Sequence, residues 1–95
     1  VLVASAFTTD DQALAMANDT DYGLVAGVWT SNLERAMRFS SQLEAGQVYV
    51  NNWFGGGVET PFGGWKNSGI GREKGLEALL HYTQLRTTII SLPVS

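Results

Sequence analysis

Apolar residues along this chain form three short, nearly continuous runs. They occupy residues 1–7 (VLVASAF), 24–30 (LVAGVWT) and 47–51 (QVYVN). Runs of this length with so few polar positions are typical of strands that are covered on both faces. We therefore predict three buried strands, with Trp29 and Tyr49 contributing to the core.

Helix start signals stand between these runs. Thr9 and Gln12 have the spacing of a capping box, and so do Ser31 and Glu34. Apolar residues follow each pair at helical spacing, and Gly46 comes where a left-handed C-cap is expected. The pattern predicts two helices that connect the three strands, which is an α/β layer with a parallel or mixed sheet.

A helix and a strand are predicted near the C-terminal end. Leucines at helical spacing predict a helix over residues 73–81, although Gly75 weakens it by about 1 kcal/mol relative to alanine. Residues 83–92 alternate between polar and apolar, which suits a strand lying against another chain. We predict a partial α/β domain over residues 1–82 and an oligomerisation strand and tail over residues 83–95.

A glycine-rich stretch, residues 51–72, holds seven of the chain's eleven glycines. Glycine permits positive φ and close backbone approach, so this stretch follows a path that other residues could not. Its spacing does not fit phosphate binding, because Gly75 comes one residue too late after Gly69 and Gly71 for a dinucleotide fingerprint. The P-loop lysine is missing too. The stretch is either a functional loop, since such loops commonly carry working groups, or a solvent loop without a task.

The composition excludes several classes of protein. Nine acidic against six basic residues, without a basic block, argue against nucleic acid as a partner. The lack of cysteine removes disulfides, thiolate zinc sites and a thiol nucleophile from these residues, and we expect no metal site. No apolar run approaches the roughly 20 residues that cross a bilayer, so we expect a cytoplasmic protein without a membrane partner. His81, the single histidine, is expected to be packed or half-exposed.

Four segments together resemble the C-terminal portion of the NAD(P)-dependent aldehyde dehydrogenase superfamily. They are ANDTDYGLVAGVWT, LEAGQVYVN, VNNWFGGGVETPFGGWKNSGIGREKG and HYTQLRTTII, and the resemblance spans essentially the whole chain. It implies the C-terminal part of the catalytic domain of a member similar to betaine and aminoaldehyde dehydrogenases. It also implies a homo-oligomer through residues 83–92, where members exchange a terminal strand with a neighbouring subunit.

The resemblance implies oxidation of an aldehyde to a carboxylic acid with NAD⁺ or NADP⁺ by a longer protein. Family members form a thiohemiacetal on a cysteine, transfer hydride to nicotinamide and hydrolyse the thioester with a glutamate-activated water. The nucleophile, the general base and the nucleotide-binding fold lie N-terminal to Val1 in this family. The first run begins at residue 1 without a starting methionine, so we expect a piece of a longer chain that is inactive alone.

Three residues of the glycine-rich stretch resemble positions that line the family's substrate tunnel. Trp53 matches an aromatic that is tryptophan in members acting on cationic aldehydes, and a tryptophan face attracts a cation by about 0.5–2 kcal/mol. Phe62 matches a second tunnel aromatic near the reacting carbon. Gly56 stands where some relatives carry a bulky aromatic, which implies a wider pocket. The alternative for Trp53 is a side chain that only packs.

Glu59 matches a position that is acidic in a subset of the family. There it resembles part of a proton path that serves the general base, a role that requires a buried carboxyl group. The alternative is a loop carboxylate that pairs with Lys66 or with water.

A second interpretation of the whole chain is a non-catalytic α/β interaction module. The alternating pattern of residues 83–92 supports it, because strand addition is a common mode of association. Such a module would lose its oligomer on truncation and would never bind a nicotinamide cofactor.

Overall fold

The computed structural model describes residues 1–93, which contain two α-helices, four short strands and one 3₁₀ helix. In chain order the elements are α1 Asp10–Asn18, β1 Tyr22–Gly23, β2 Val25–Val28, α2 Leu33–Gln42, β3 Gln47–Val50, β4 Trp65–Lys66 and the 3₁₀ helix η1 Leu76–Tyr82.

The strands of this α/β unit form two separate pairs. β2 and β3 are parallel, with Val25 opposite Gln47 and Val28 opposite Val50. α2 is the crossover connection that a parallel pair needs. β1 and β4 are antiparallel, with Tyr22 opposite Lys66. The prediction of a parallel or mixed sheet is confirmed for β2 and β3, and the antiparallel pair is an addition made by the glycine-rich stretch.

The core lies between the two α-helices and the parallel strand pair. Leu14 of α1 is buried against Phe39 and Leu43, which lie at helical spacing on the inner face of α2 and just beyond its end. Partly buried side chains complete this core, namely Ala13, Ala26, Val28 and Val48. The core is small, since seven hydrophobic residues are buried within residues 1–93.

The start of α1 is as predicted. Thr9 is the N-cap, and its hydroxyl accepts from the backbone N–H of Gln12 at 3.1 Å. The Gln12 side chain reaches back one residue further than a capping box requires, because its oxygen accepts from Thr8 N at 2.8 Å.

The predicted N-cap of α2, Ser31, is wrong by one residue. Asn32 is the cap, and its side-chain oxygen accepts from Arg35 N at 2.9 Å. The Thr30 hydroxyl accepts from Asn32 N at 3.1 Å and shapes the turn before the helix. Asparagine caps as well as serine does, so local preference could not separate the two.

Gly46 is not a left-handed C-cap, so that prediction is wrong. α2 ends at Gln42, and its C-cap residue Leu43 is extended (φ −70°, ψ 126°). A Cβ at Gly46 would overlap the carbonyl oxygen of Gly63. The glycine is therefore needed for close approach between the start of β3 and the glycine-rich stretch.

Both terminal strand predictions are wrong for this chain by itself. Residues 1–7 and 83–93 have no regular secondary structure and their side chains are exposed. A strand needs hydrogen bonds to a neighbouring strand, and within residues 1–93 none pairs with either segment. Residues 94–95 of the predicted tail lie outside the described residues.

Three smaller predictions also need correction. The helix expected over residues 73–81 is a 3₁₀ helix that starts later, because Gly75 adopts φ +67° immediately before it. Trp29 is 62% exposed, since its side chain points to the opposite face of the strand from Val28, which packs on the core. His81 is exposed, whereas Tyr49 is buried as predicted.

Candidate functional site

Five aromatic side chains form one contiguous group on β2, β3 and the glycine-rich stretch. This aromatic cluster consists of Trp29, Tyr49, Trp53, Phe54 and Phe62. Neighbouring ring centroids are 5.3 to 6.3 Å apart, which lies within the range of favourable aromatic pairs. The cluster thus brings Trp53 and Phe62, two predicted tunnel residues, onto one surface.

Phe54 is the ring that joins these two tunnel residues. Its centroid lies 5.3 Å from that of Trp53, edge to face, and 6.3 Å from that of Phe62. Its backbone has φ +54°, a left-handed conformation that costs a bulky residue about 1–3 kcal/mol. Such strain is typical of functional loops. Sequence reasoning gave Phe54 no role, because nothing in the pattern shows which backbone conformation it adopts.

Tyr49 supports the cluster from the core side. Its ring centroid lies 5.6 Å from those of both Trp53 and Phe54, and the residue is buried. Its hydroxyl donates to the side-chain oxygen of Gln47 at 3.2 Å. Tyr49, which belongs to β3, therefore supports the rings of Trp53 and Phe54.

Trp53 also stacks against Trp29 of the neighbouring chain segment. The two ring centroids are 6.3 Å apart and the planes are inclined by 26°. A Cβ at Gly27 would lie 2.9 Å from an atom of each indole, so both rings cover this glycine. Gly27 therefore allows close packing here, and its partners are the two tryptophans.

Asn51 fixes the start of the glycine-rich stretch. Its side-chain oxygen accepts from Thr30 N at 2.8 Å, and its side-chain nitrogen donates to Thr30 O at 2.9 Å. Its own N–H donates to Val28 O at 2.9 Å. Asparagine tolerates the φ of +56° found here better than most residues do. The adjacent pair Asn51–Asn52 at the strand end was the signal for this turn, which sequence reasoning did not use.

Phe62 is held by a second backbone pairing. Its N–H donates to Glu73 O at 2.8 Å, and Glu73 N donates to Phe62 O at 2.7 Å. The preceding carbonyl, of Pro61, accepts from the side chain of Gln47. The ammonium nitrogen of Lys74 lies 5.7 Å from the ring centroid of Phe62, which is a cation–π contact.

Gly56 and Glu59 lie on the loop between the two tunnel aromatics. Gly56 has φ +93°, and a Cβ there would lie 2.9 Å from the Thr60 hydroxyl oxygen. Glu59 is exposed, and its carboxylate folds over Gly57. The residues described here therefore do not supply the burial that a proton relay requires.

The alternative pairing of Glu59 with Lys66 is wrong. The Lys66 ammonium pairs with Glu44 and donates to the carbonyl oxygens of Asn18 at 3.0 Å and Thr20 at 3.2 Å. These contacts tie β4 to the end of α1 and leave Lys66 no part in the aromatic cluster.

The part of the chain that the structure describes gives no support for a metal site or for a membrane-spanning helix. No group of three or more histidine, cysteine, aspartate or glutamate side chains within residues 1–93 could hold a metal ion. None of the helices in the same residues is long and apolar enough to span a bilayer.

Comparison with known proteins shows that the chain belongs to the aldehyde dehydrogenase family. The model of the aldehyde dehydrogenase family matches residues 1–88. The NADP/NAD-dependent aldehyde dehydrogenase PuuC of Escherichia coli (strain K12) is 54% identical over 92 residues. The betaine aldehyde dehydrogenase of Vibrio vulnificus (strain YJ016) is 48% identical over 92 residues. Each comparison covers 97% of this chain and 19% of the relative.

Solved structures show the same relationship. The indole-3-acetaldehyde dehydrogenase AldA of P. syringae, as a mutant in complex with NAD⁺ and IAA, is 50% identical, with a TM-score of 0.82. The aldehyde dehydrogenase KauB from Pseudomonas aeruginosa is also 50% identical, with a TM-score of 0.82. Both comparisons cover 90% of this chain and 17% of the other chain. The chain therefore spans about a fifth of the length of these relatives.

Proposed function

We propose that this chain is the C-terminal part of the catalytic domain of an NAD(P)⁺-dependent aldehyde dehydrogenase and forms one wall of its substrate tunnel. The observation that carries the proposal is the unbroken aromatic surface from Trp53 through Phe54 to Phe62. An apolar, rigid wall of this kind binds and orients an aldehyde and keeps water away from it. When bound, the nicotinamide cofactor accepts the hydride that the aldehyde loses.

The cofactor would be held by residues outside this chain. The glycine-rich stretch does not have the spacing of a dinucleotide fingerprint, because Gly75 comes one residue too late after Gly69 and Gly71. The proposed contribution of these residues is therefore to the aldehyde and to subunit contacts, with NAD⁺ or NADP⁺ bound elsewhere.

The proposed substrate class is a cationic aldehyde, such as an aminoaldehyde or a trimethylammonio-aldehyde. Trp53 is half exposed, so a face of its ring remains open to a cation. Lys74 already lies over the ring of Phe62, and a second cation there would be repelled. We therefore propose that the charged end of the substrate binds at Trp53 and that its carbonyl end lies towards Phe62. Several relatives bear the name betaine aldehyde dehydrogenase, which supports this assignment.

Gly56 and Glu59 complete the proposed wall. Gly56 leaves the loop without a side chain beside Thr60, which keeps the pocket wide. Glu59 is proposed as a proton relay for the general base, provided that residues outside this chain bury it. The exposed residues 83–92 are proposed to pair with a second copy of the protein, since their backbone lacks a strand partner within residues 1–93.

The experiment that tests the substrate assignment compares two aldehydes of the same shape in the full-length protein. One carries a trimethylammonio group and the other a neutral tert-butyl group. Trp53→Ala is expected to lower kcat/KM for the cationic aldehyde about 2- to 30-fold more than for the neutral one. Trp65→Ala is the matched control, because Trp65 is similarly exposed on β4 but outside the aromatic cluster. Equal losses for the two aldehydes would show that Trp53 only packs.

The non-catalytic interaction module is less well supported. The relatives that cover nearly the whole chain are named as dehydrogenases. Strand pairing also does not require an aromatic cluster, so this interpretation leaves the cluster unexplained.

A further inference from the structure

We propose that Trp29 is a positioning residue for Trp53 and sets the orientation in which the Trp53 indole meets a cationic substrate. This inference rests on the proposed function, because it concerns how the same aromatic wall is held. Trp29 lies on the neighbouring chain segment, directly after β2.

The geometry of the two indoles is that of a supporting stack. Their planes are inclined by only 26°, with centroids 6.3 Å apart. A trimethylammonio group between two rings needs room for its methyl groups on both sides, and a centroid spacing of 6.3 Å is too small for that. Trp29 therefore does not contact the cation from the opposite side, and one face of Trp53 is used for the stack while the other stays open.

The backbone around the pair keeps the two rings in register. Gly27 provides the floor, since a Cβ there would lie 2.9 Å from an atom of each indole. Asn51 links the two segments through both hydrogen bonds to Thr30, the residue that follows Trp29. The ring of Trp53 is thus limited on three sides, by Trp29, Tyr49 and Phe54.

The exposure of Trp29 agrees with this role. Trp29 is not among the side chains that pack on the core, and within this part of the protein it is 62% exposed. Its neighbour in the aromatic cluster is Trp53. The stack explains why a large aromatic residue occupies a position whose side chain points away from the core. Removal of an exposed ring is also expected to leave the core of Leu14, Phe39 and Leu43 intact.

The test uses the full-length protein with the cationic aldehyde and its neutral analogue. Trp29→Leu is expected to raise KM for the cationic aldehyde about 3- to 10-fold, with a clearly smaller change for the neutral one. Trp29→Phe should restore most of the preference, because a phenyl ring still stacks. Gly27→Ala retains both indoles but displaces them, and it should reduce the preference as Trp29→Leu does. Trp65→Leu is the control for loss of an exposed tryptophan.

Circular dichroism provides a readout that does not depend on turnover. Two stacked indoles couple and give an exciton couplet in the far ultraviolet. The couplet should disappear equally in Trp29→Leu and Trp53→Leu, and it should remain in Trp65→Leu. A couplet unchanged by Trp29→Leu would overturn the proposal.

The kinetic outcomes separate this inference from the proposed function. If Trp53→Ala reduces the cation preference and Trp29→Leu does not, the positioning role is wrong and the cation site stands. If Trp29→Leu affects both aldehydes equally, the residue is only structural and the inference is wrong. If Trp53→Ala itself leaves the preference for the cationic aldehyde unchanged, the proposed cation site and the proposed role of Trp29 are both wrong.

Discussion

The side-chain amide of Asn51 pairs with the backbone of Thr30 as a further rung of the parallel strand pair. Both of its hydrogen bonds, 2.8 and 2.9 Å long, involve the backbone N–H and C=O groups of the same residue, Thr30. The backbone of Asn51 meanwhile turns away at φ +56°. One residue therefore ends β3, ties it to β2 and directs the chain into the glycine-rich stretch, two positions before Trp53.

Loss of this amide should destabilise the protein. Asn51→Ala removes two hydrogen bonds and places a less tolerant residue at positive φ, so we expect the free energy of unfolding to fall by about 1–3 kcal/mol. Asn51→Gly should lose less, because glycine accepts the conformation. Denaturant titration of the full-length protein measures both. Asn67→Ala is the control, since the Asn67 side chain makes none of the hydrogen bonds described here; equal effects at the two positions would contradict the prediction.

Gly56 should resist substitution more than its neighbour Gly55. At φ +93° an alanine costs about 1–2 kcal/mol, and its Cβ would press on the Thr60 hydroxyl group. Gly55→Ala would meet only the Asn52 side-chain amide, which can move away. Thermal unfolding of the two variants side by side should show the lower melting temperature for Gly56→Ala. A lower value for Gly55→Ala would mean that the loop is arranged differently.

Glu59→Gln tests the proposed proton relay. The amide has nearly the same shape but cannot carry the proton, so we expect kcat to fall about tenfold while KM for the aldehyde stays unchanged. Glu77→Gln, an exposed acid at the start of η1, provides the control. A rise in KM without a fall in kcat would assign Glu59 to substrate binding instead.

Truncation of residues 83–95 tests the proposed subunit contact. Residues 83–93 have no strand partner within the described residues 1–93, so pairing with a second copy should depend on them. Light scattering should report a smaller assembly after truncation of the full-length protein. Nicotinamide cofactor binding should persist, since the cofactor is proposed to bind elsewhere. An unchanged mass would overturn the contact, and a protein that never binds the cofactor would support the interaction module.

The local signals of this sequence predicted the elements that depend on neighbours in the chain. α1 begins at Thr9 as expected, because the hydroxyl and the donor it satisfies are three residues apart. The parallel pairing of β2 and β3 also followed from two apolar runs with a helix between them. The prediction failed at Ser31, where the local pattern allowed two caps, and at Gly46, where close approach to the distant Gly63 is the reason for the glycine.

The candidate site divides in the same way. The resemblance predicted that four residues of the glycine-rich stretch belong to one site, namely Trp53, Gly56, Glu59 and Phe62. The structure joins Trp53 and Phe62 through an aromatic surface. The bridging ring of Phe54 was not predicted, because its role depends on a left-handed backbone that residue preference argues against.

The sequence by itself determined the helices, the parallel strand pair and the membership of the aldehyde dehydrogenase family, since these rest on short-range spacing and on residue identity. Only the tertiary structure decided that Trp29 is exposed and stacked on Trp53, and that Asn51 links both segments. Residues 29, 51 and 53 meet because β2 and β3 are neighbours in the sheet. A contact of that kind depends on pairing register and backbone conformation together, and neither can be read from a linear pattern.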